Sequence, residues 1–232
     1  LLFHATPLIR NSLKCYHCPM PQLRWLYTIY AYLVGLPILL AFLVSTLPCL
    51  AMDGSRSRAY QRLGYFWCSL LYACWGVKID VLHAERLLQR RACMALANHQ
   101  SLIDIPLMFL ILPHPFAFLF KKELVSTPLL GWHLQQAQHF CIDRSQGSSI
   151  QIQESAMAQA VKKGQWLVVF PEGTRSATGA LLPLKRGAFH FALQQSLPLL
   201  PIYIHNTYTY KPKLRATAWP CQIQVAVGHL IP

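Results

Sequence analysis

The pattern of apolar and polar positions changes about one third of the way along the chain. Trp25–Met52 is a run of 28 residues without a charged side chain. This is longer than the roughly 20 residues that a helix needs to span a bilayer. Gly and Pro residues interrupt the run, so a kinked or re-entrant segment is also possible. The sequence therefore predicts a membrane-embedded or membrane-associated helical segment near the amino terminus.

A second uncharged stretch, Leu63–Val77, has 15 residues, five of them aromatic. It is too short to span a bilayer, and its aromatic content is typical of the headgroup region. We expect residues 1–77 to form membrane-anchoring helices. The alternative is that both stretches are buried helices of a soluble protein.

Later in the chain, short apolar runs alternate with segments that favour helix. The predicted strands are Ala92–Ala97, Phe116–Phe120, His139–Ile142, Trp166–Phe170, Leu199–Ile204 and Gln222–Val227. The predicted helices are Ile103–Leu112, Leu124–Ala137, Ile150–Lys163 and Gly187–Gln195. This alternation predicts an α/β domain over residues 78–232, with a mixed sheet and flanking helices.

The net charge of the chain limits the classes of partner that it is suited to bind. The 232 residues include 21 Lys and Arg against 8 Asp and Glu, a formal net charge of 21 − 8 = +13. Such a balance suits a polyanion, an anionic membrane surface or a phosphorylated substrate. A basic nucleic-acid binder is the competing class, with aromatic side chains as stacking platforms. The long uncharged run argues against it, and we expect no nucleic acid partner.

One histidine is followed by a carboxylate at a spacing that allows the two side chains to meet. His99 follows the predicted strand Ala92–Ala97, and Asp104 comes five residues later at the start of a predicted helix. A carboxylate bonded to one ring nitrogen fixes the tautomer, and the other nitrogen can then take a proton from a hydroxyl group. The alternative is a structural polar pair at a helix amino terminus.

A second cluster follows the predicted strand that begins at Trp166. Residues 170–176 read FPEGTRS. Gly173 lets the backbone approach a ligand, Thr174 offers a hydroxyl group, and Arg175 carries the planar guanidinium that matches phosphate. These residue types favour binding of an anion, although a strand-to-loop turn has the same composition.

Two more cations follow other predicted strands. Lys121 comes after the strand Phe116–Phe120, and Arg144 after the strand His139–Ile142. Cations at several strand ends could converge on one site. Taken singly, each is an ordinary solvated surface charge.

Four blocks in this order resemble the glycerolipid acyltransferases, specifically the 1-acyl-sn-glycerol-3-phosphate acyltransferase family. They are NHQSLID at residues 98–104, the region from KKEL to FCIDR at 121–144, FPEGTRS at 170–176 and LPI at 200–202. The resemblance covers nearly half of the chain. One departure is Gln138, at a position shortly before a strand where the family often carries Gly.

The resemblance implies an activity and the residues for it. A fatty acyl group would move from acyl-CoA or acyl carrier protein to the free hydroxyl of lysophosphatidate, making phosphatidic acid for phospholipid biosynthesis. His99 would act as the general base and Asp104 would orient it. The implied contacts of the glycerol phosphate are Glu172, Gly173, Thr174, Arg175, Arg144 and Lys121.

The same resemblance implies a location and no cofactor beyond the acyl donor. The partners would be membrane lipids, lysophosphatidate and the acyl thioester, at the cytoplasmic face of a bacterial inner membrane. A lyso-ornithine lipid or a headgroup-bearing lysophospholipid is the alternative acceptor. No metal is expected, because Cys15 and Cys18 lack a second pair of ligands at zinc-site spacing.

Overall fold

The structure is a computed structural model that describes residues 20–51, 58–142 and 147–232, with side chains from residue 154 onward in the last range. Its helices are α1 Pro21–Ser45, α2 Leu47–Ala51, α3 Arg58–Cys74, α4 Asp104–Ile111, α5 Leu130–Gln136, α6 Gly147–Lys162, α7 Gly187–Gln194 and α8 Thr207–Tyr210. Its strands are β1 Lys78–Leu82, β2 Met94–Ala97, β3 Phe116–Lys121, β4 Phe140–Ile142, β5 Trp166–Val169, β6 Leu199–His205 and β7 Gln222–Val227.

The seven strands form one sheet in the order β1-β7-β6-β2-β5-β3-β4. Neighbours pair in parallel except β6 and β7, which are antiparallel. The predicted mixed α/β sheet is thus confirmed. Because β6, β2, β5, β3 and β4 run the same way, the loops after these strands all emerge at one edge.

Both faces of the central sheet are covered, which explains why its strands read as continuous apolar runs. In β2, Ala95 and Ala97 belong to the core on the side of α4, whereas Met94 and Leu96 belong to the core on the opposite side. All four residues of β2 are fully buried. Alternate side chains of one strand therefore anchor two separate layers of helices.

The six predicted strands are all present, with ends that differ by at most two residues. The sequence prediction missed β1, which pairs in parallel with β7 from Lys78 to Leu82. Its residues are only exposed or half-buried. An edge strand of this kind has no distinct apolar run, so the pairing partner decides its conformation.

The helix predicted over Leu124–Ala137 is wrong in its first half. Residues Lys122–Leu124 form a 3-10 turn, and α5 begins only at Leu130. Pro128 lies between them, and a proline disfavours helical backbone in the residue before it. Gly131 is also required, because a Cβ there would collide with the carbonyl oxygen of Val125.

Helices α1 and α3 pack against each other and against the sheet domain. The indole Nε1 of Trp75 donates to the carbonyl of Ala31 in α1, at 3.0 Å. The hydroxyl of Tyr72 in α3 donates to the carbonyl of Ile103, at 2.5 Å. The amino-terminal helices are therefore continuous with the packing of the α/β domain, and the division at residue 77 stays a prediction.

Both halves of α1 touch the α/β domain. Near its start, the hydroxyl oxygen of Thr28 accepts a hydrogen bond from the N–H of Ala218, at 2.9 Å. Just after its end, the hydroxyl oxygen of Thr46 lies 2.8 Å from Nε2 of His133 in α5. These contacts fix the direction of α1 along the body of the protein.

The remaining surface of α1 is apolar. The most apolar 18-residue window of the segment Pro21–Ala51 has a mean hydropathy of 2.3, and the segment is long and apolar enough to cross a membrane by length and composition. Only 11% of its most apolar window is buried. The exposed large side chains of this segment are Leu23, Trp25, Leu26, Ile29, Tyr30, Tyr32, Leu33, Leu36, Leu39, Leu40, Val44 and Leu47.

The turn after α5 uses a conformation that favours glycine. Gln138 has φ 59°. Its N–H donates to the carbonyl of Gln135, at 2.9 Å, and the N–H of His139 donates to the carbonyl of Leu134, at 3.0 Å. This is the hydrogen-bond pattern of a Schellman motif, in which the left-handed residue is usually Gly. The departure from the family's glycine at this position therefore leaves the turn intact but strained.

We expect Gln138→Gly to stabilise the protein by about 1 kcal/mol, because glycine has no Cβ to oppose the left-handed conformation. The measurement is unfolding of the detergent-solubilised protein, followed by circular dichroism. Gln136→Gly is the control, since Gln136 is an exposed position inside α5. Glycine there should destabilise by about 1 kcal/mol. Equal effects of the two substitutions would contradict the assignment of strain to Gln138.

Two histidines are buried beneath α1 and α3 without a charged partner in the described part of the chain. His139 accepts a hydrogen bond at Nδ1 from the N–H of Phe118, at 3.2 Å, and its Nε2 lies 3.3 Å from the hydroxyl of Tyr60. Burial lowers the pKa of His139 to about 3 and that of His133 to about 4. Both rings are therefore neutral in the folded protein at neutral pH.

The protein should lose stability as the pH falls below about 6.5, since the unfolded chain then binds protons that the folded chain does not. For His139 alone, the loss between neutral pH and about pH 5 is about 2 kcal/mol. Denaturant unfolding at a series of pH values measures it. His139→Gln keeps a hydrogen-bond acceptor but cannot titrate, and should show a shallower loss. An identical pH profile for this variant would contradict the prediction.

Candidate active site

The candidate site lies where two neighbouring parallel strands end. His99 follows β2, and residues 170–176 follow β5. The two loops are bonded to each other: the N–H of His99 donates to Oε1 of Glu172, at 2.6 Å, and the N–H of Ser176 donates to the carbonyl of His99, at 2.8 Å. The two motifs singled out in the sequence are thus parts of one structure.

His99 and Asp104 form the predicted pair. Nδ1 of His99 lies 2.7 Å from Oδ2 of Asp104. The same oxygen accepts hydrogen bonds from the N–H groups of Gln100 and Ser101, at 2.7 and 2.8 Å. Asp104 is fully buried and is the first residue of α4, where the helix dipole favours a negative charge. The carboxylate is therefore held in one orientation.

The orientation of the His99 ring follows from these bonds. Because Oδ2 of Asp104 is an acceptor, Nδ1 of His99 carries the proton and Nε2 is left as a free acceptor. The ring also stacks on Phe170, with centroids 4.2 Å apart and planes at 19°. Only 13% of the His99 side chain is exposed. No role was predicted for Phe170, although it is the first residue of the FPEGTRS block.

Asn98 fixes the end of β2 against β6. Its Nδ2 donates to the carbonyl of Ile204, at 2.9 Å, and its Oδ1 accepts from the N–H of the same residue, at 2.6 Å. Only an amide side chain offers a donor and an acceptor in this arrangement. Asn98 thus positions the backbone directly before His99, a role that sequence reasoning missed although the residue belongs to the motif.

The carboxylate of Glu172 faces the protein interior. Its Oε1 accepts from the N–H of His99, and its Oε2 accepts from the N–H of Leu182, at 2.9 Å. Burial raises the pKa of Glu172, against the opposing effect of these two hydrogen bonds. The side chain joins three parts of the chain at the site. Its direct contact with a glycerol phosphate stays a prediction.

The residues after Glu172 form a tight turn. Gly173 has φ 68°, in the left-handed region, and its N–H donates to the carbonyl of Phe170, at 2.9 Å. Thr174 and Arg175 follow at the surface and are half-buried. No hydrogen bond or ion pair of the Arg175 guanidinium is formed with the described residues. The turn therefore presents a cation that is free to meet an anion.

Of the other two predicted cations, Lys121 lies within the described residues and Arg144 does not. Lys121 is exposed at the end of β3, which pairs with β5, so it lies on the same edge of the sheet as Arg175. Arg144 lies outside the described residues. In the part of the chain that the structure describes, no three His, Cys, Asp or Glu side chains are grouped to hold a metal ion. Cys15 and Cys18 are also outside that part.

The connection between β6 and β7 closes the site from another side. The hydroxyl of Ser101 donates to the carbonyl of Lys211, at 3.0 Å. The hydroxyl of Tyr208 donates to the carbonyl of Ala177, at 3.1 Å. The residues of this connection lie far along the chain from the loop after β2, so spacing in the sequence gives no indication of the contact with Ser101.

The arrangement joins the loop of the His99–Asp104 pair to a turn that carries a guanidinium group. A neutral imidazole with its proton fixed on Nδ1 can accept a proton at Nε2 from a bound alcohol. The adjacent turn presents an unpaired guanidinium, which suits a phosphate group. A substrate with a hydroxyl group near a phosphate matches both features.

Comparison with the models of known protein families assigns the chain to one of them. The model of the family described as Acyltransferase matches residues 78–205, more than half of the chain. The chain belongs to the acyltransferase family. The resemblance inferred from the four sequence blocks is thereby confirmed.

Two curated relatives of this acyltransferase-family chain carry the same name. A 1-acyl-sn-glycerol-3-phosphate acyltransferase of Cocos nucifera is 42% identical over 132 residues, covering 56% of this chain and 42% of the relative. The enzyme of that name from Pseudomonas aeruginosa is 32% identical over 169 residues, covering 70% of this chain and 64% of the relative. The chain therefore spans about half of the length of the curated relatives it matches.

A solved structure shares the fold. The crystal structure of the 1-acyl-sn-glycerophosphate acyltransferase PlsC from Thermotoga maritima superimposes with a TM-score of 0.75 at 25% sequence identity. The match covers 91% of this chain and 87% of the other, so it includes the amino-terminal helices as well as the sheet.

Glu172→Gln should lower the free energy of unfolding by about 2 kcal/mol, because the amide offers one acceptor oxygen where two N–H groups need one each. Thermal unfolding measures this loss. Glu123→Gln, at an exposed position, is the control and should leave stability unchanged. If Glu172→Gln also leaves stability unchanged and only weakens phosphate binding, the structural role is wrong and the ligand contact is right.

Proposed function

We propose that this protein transfers a fatty acyl group from a thioester to the free hydroxyl of 1-acyl-glycerol 3-phosphate, making phosphatidic acid. The observation that carries the proposal is the His99–Asp104 pair, on a loop that is hydrogen-bonded to the loop carrying Arg175. The names of the relatives support the same acceptor. The basic charge of the chain suits a phosphorylated substrate.

In the proposed reaction, Nε2 of His99 takes the proton of the acceptor hydroxyl as its oxygen attacks the thioester carbonyl carbon. An alcohol needs this help, because it is almost fully protonated at neutral pH. The carbon–sulfur bond of the tetrahedral intermediate then breaks, and the proton on Nε2 moves to the departing sulfur. The products are an ester and a free thiol. Asp104 stabilises the imidazolium that exists between the two proton transfers.

The phosphate of the acceptor would bind at the turn after β5. Arg175 is the first candidate, since its guanidinium can bond two phosphate oxygens. Gly173 allows the backbone to come close, and Thr174 supplies a hydroxyl group. Lys121, on the same edge of the sheet, and Arg144 are further proposed contacts.

The acyl donor in this proposal is acyl-CoA or acyl carrier protein, and the chemistry needs no other cofactor. The free thiol released from either donor is the quantity to measure. An acceptor panel of lysophosphatidate, a lysophospholipid with a headgroup and a lyso-ornithine lipid separates the proposed substrate from its alternatives. Transfer only to one of the latter two would overturn the proposed acceptor.

His99→Ala should reduce the rate of acyl transfer to lysophosphatidate by about 10²–10⁴-fold, the usual contribution of a general base. Asp104→Asn should reduce the rate by a smaller factor, because His99, the proposed base, remains. Thiol release from the donor, with lysophosphatidate in detergent micelles, measures both rates.

The matched control is His190→Ala, since His190 is exposed on α7 and lies outside both motifs. This variant should keep full activity, and all three variants should keep the circular dichroism spectrum of the parent. Retention of activity by His99→Ala would rule out the assigned base.

We infer further that α1 lies within one leaflet of the membrane on the cytoplasmic side. Its contacts at Thr28 and Thr46 are 18 residues apart, a length of about 27 Å along the helix. This nearly equals the roughly 30 Å of a bilayer's hydrocarbon core. A helix bound to one folded domain at both ends cannot cross the bilayer while that domain stays on one side. The acyl donor, made in the cytosol, favours the cytoplasmic side.

In sealed vesicles, a membrane-impermeant maleimide should label Met20→Cys and Leu193→Cys from the same side. Both positions are exposed, one before α1 and the other on α7. Labelling in inside-out vesicles only, read by mass spectrometry of the modified peptides, is the expected result for a cytoplasmic location. Labelling of the two positions from opposite sides would show a spanning helix.

A further inference from the structure

The connection between β6 and β7 is built into the candidate site. It contacts the loop after β2 through Ser101, which bonds the carbonyl of Lys211, and the loop after β5 through Tyr208, which bonds the carbonyl of Ala177. The ring of Tyr208 also lies directly against Gly179, where an added Cβ would come within 3.1 Å of it. The position of this connection is therefore fixed relative to His99 and to residues 170–176.

One cation of this connection reaches the anion-binding turn. Nζ of Lys213 donates a hydrogen bond to Oγ1 of Thr174, at 3.1 Å. Thr174 stands between Gly173 and Arg175, so the ammonium group lies at the turn that presents the guanidinium. Lys213 is exposed, and the contact uses one of its three N–H donors. The other two remain for water or a ligand.

The charge of this connection is not balanced by acidic residues. Residues 206–221 contain Lys211, Lys213 and Arg215 and no Asp or Glu. In the part of the chain that the structure describes, none of these three side chains forms an ion pair. Lys213 lies at the turn that carries Arg175. Two positive charges at one turn favour a ligand with more than one negative charge.

We propose that Lys213 is a specificity-determining residue that binds the phosphate monoester of the acceptor together with Arg175. This inference rests on the proposed function. A phosphate monoester carries between one and two negative charges at neutral pH, since its second pKa is about 6, whereas a phosphodiester carries one. A second cation therefore favours lysophosphatidate over a lysophospholipid whose phosphate bears a headgroup. Thr174 holds the ammonium group near the position of the phosphate before the acceptor arrives.

The experiment compares Lys213→Met with Arg215→Met in the full-length protein in detergent micelles. The acceptors are lysophosphatidate and lysophosphatidylglycerol, and the donor is palmitoyl-CoA or palmitoyl acyl carrier protein. Lys213→Met should raise the KM for lysophosphatidate about tenfold and leave kcat and the KM for the donor within about twofold. The ratio of kcat/KM between the two acceptors should fall about tenfold, as expected for loss of one charge-assisted contact.

Arg215→Met removes an exposed cation of the same connection and should change the KM for lysophosphatidate by less than about twofold, because the charge it removes is screened by solvent. Lys213→Arg should restore most of the preference. If Lys213→Met has no larger effect than Arg215→Met, or weakens both acceptors equally, the inference is wrong while the proposed function stands. If the parent protein acylates no lysophosphatidate, the proposed function fails, and the Lys213 inference fails with it.

Discussion

The candidate site depends on a single buried oxygen atom, Oδ2 of Asp104, which accepts three hydrogen bonds. They come from the ring of His99 and from the N–H groups of Gln100 and Ser101. Burial of a carboxylate costs free energy that hydrogen-bond donors must offset, and here the loop supplies all three donors to Oδ2. The same bonds leave Nε2 of His99 as the free nitrogen. Glu172, in the loop after β5, likewise accepts hydrogen bonds from backbone N–H groups. Together the two carboxylates hold the two motifs in one arrangement.

The amino-terminal helices are joined to this site by packing. Tyr72 of α3 bonds the carbonyl of Ile103, the residue directly before Asp104. At the other side, Thr28 of α1 bonds Ala218, in the connection that carries Lys213. The apolar outer face of α1 and the base therefore belong to one rigid arrangement. For an acceptor that is itself a lipid, this coupling keeps the hydroxyl group and the base at the same depth.

Much of the α/β domain could be predicted because its strands are buried on both faces, and such strands read as unbroken apolar runs. The errors have local causes. Pro128 delays the start of α5 to Leu130. β1 is an edge strand, and its extended conformation depends on its pairing with β7. At Gln138 the chain keeps a turn that usually needs glycine, since the bonds around it outweigh the strain of φ 59°.

The sequence by itself determined the α/β class, the pairing of His99 with Asp104 and the place of Arg175 in a turn directly after a strand. Each of these rests on residues close together in the chain, where spacing limits geometry. Only the tertiary structure decided that Glu172 faces inward, that Phe170 stacks on the base and that Lys213 reaches Thr174. These contacts depend on the order of strands in the sheet. That order arises from packing among distant segments, which local spacing does not encode.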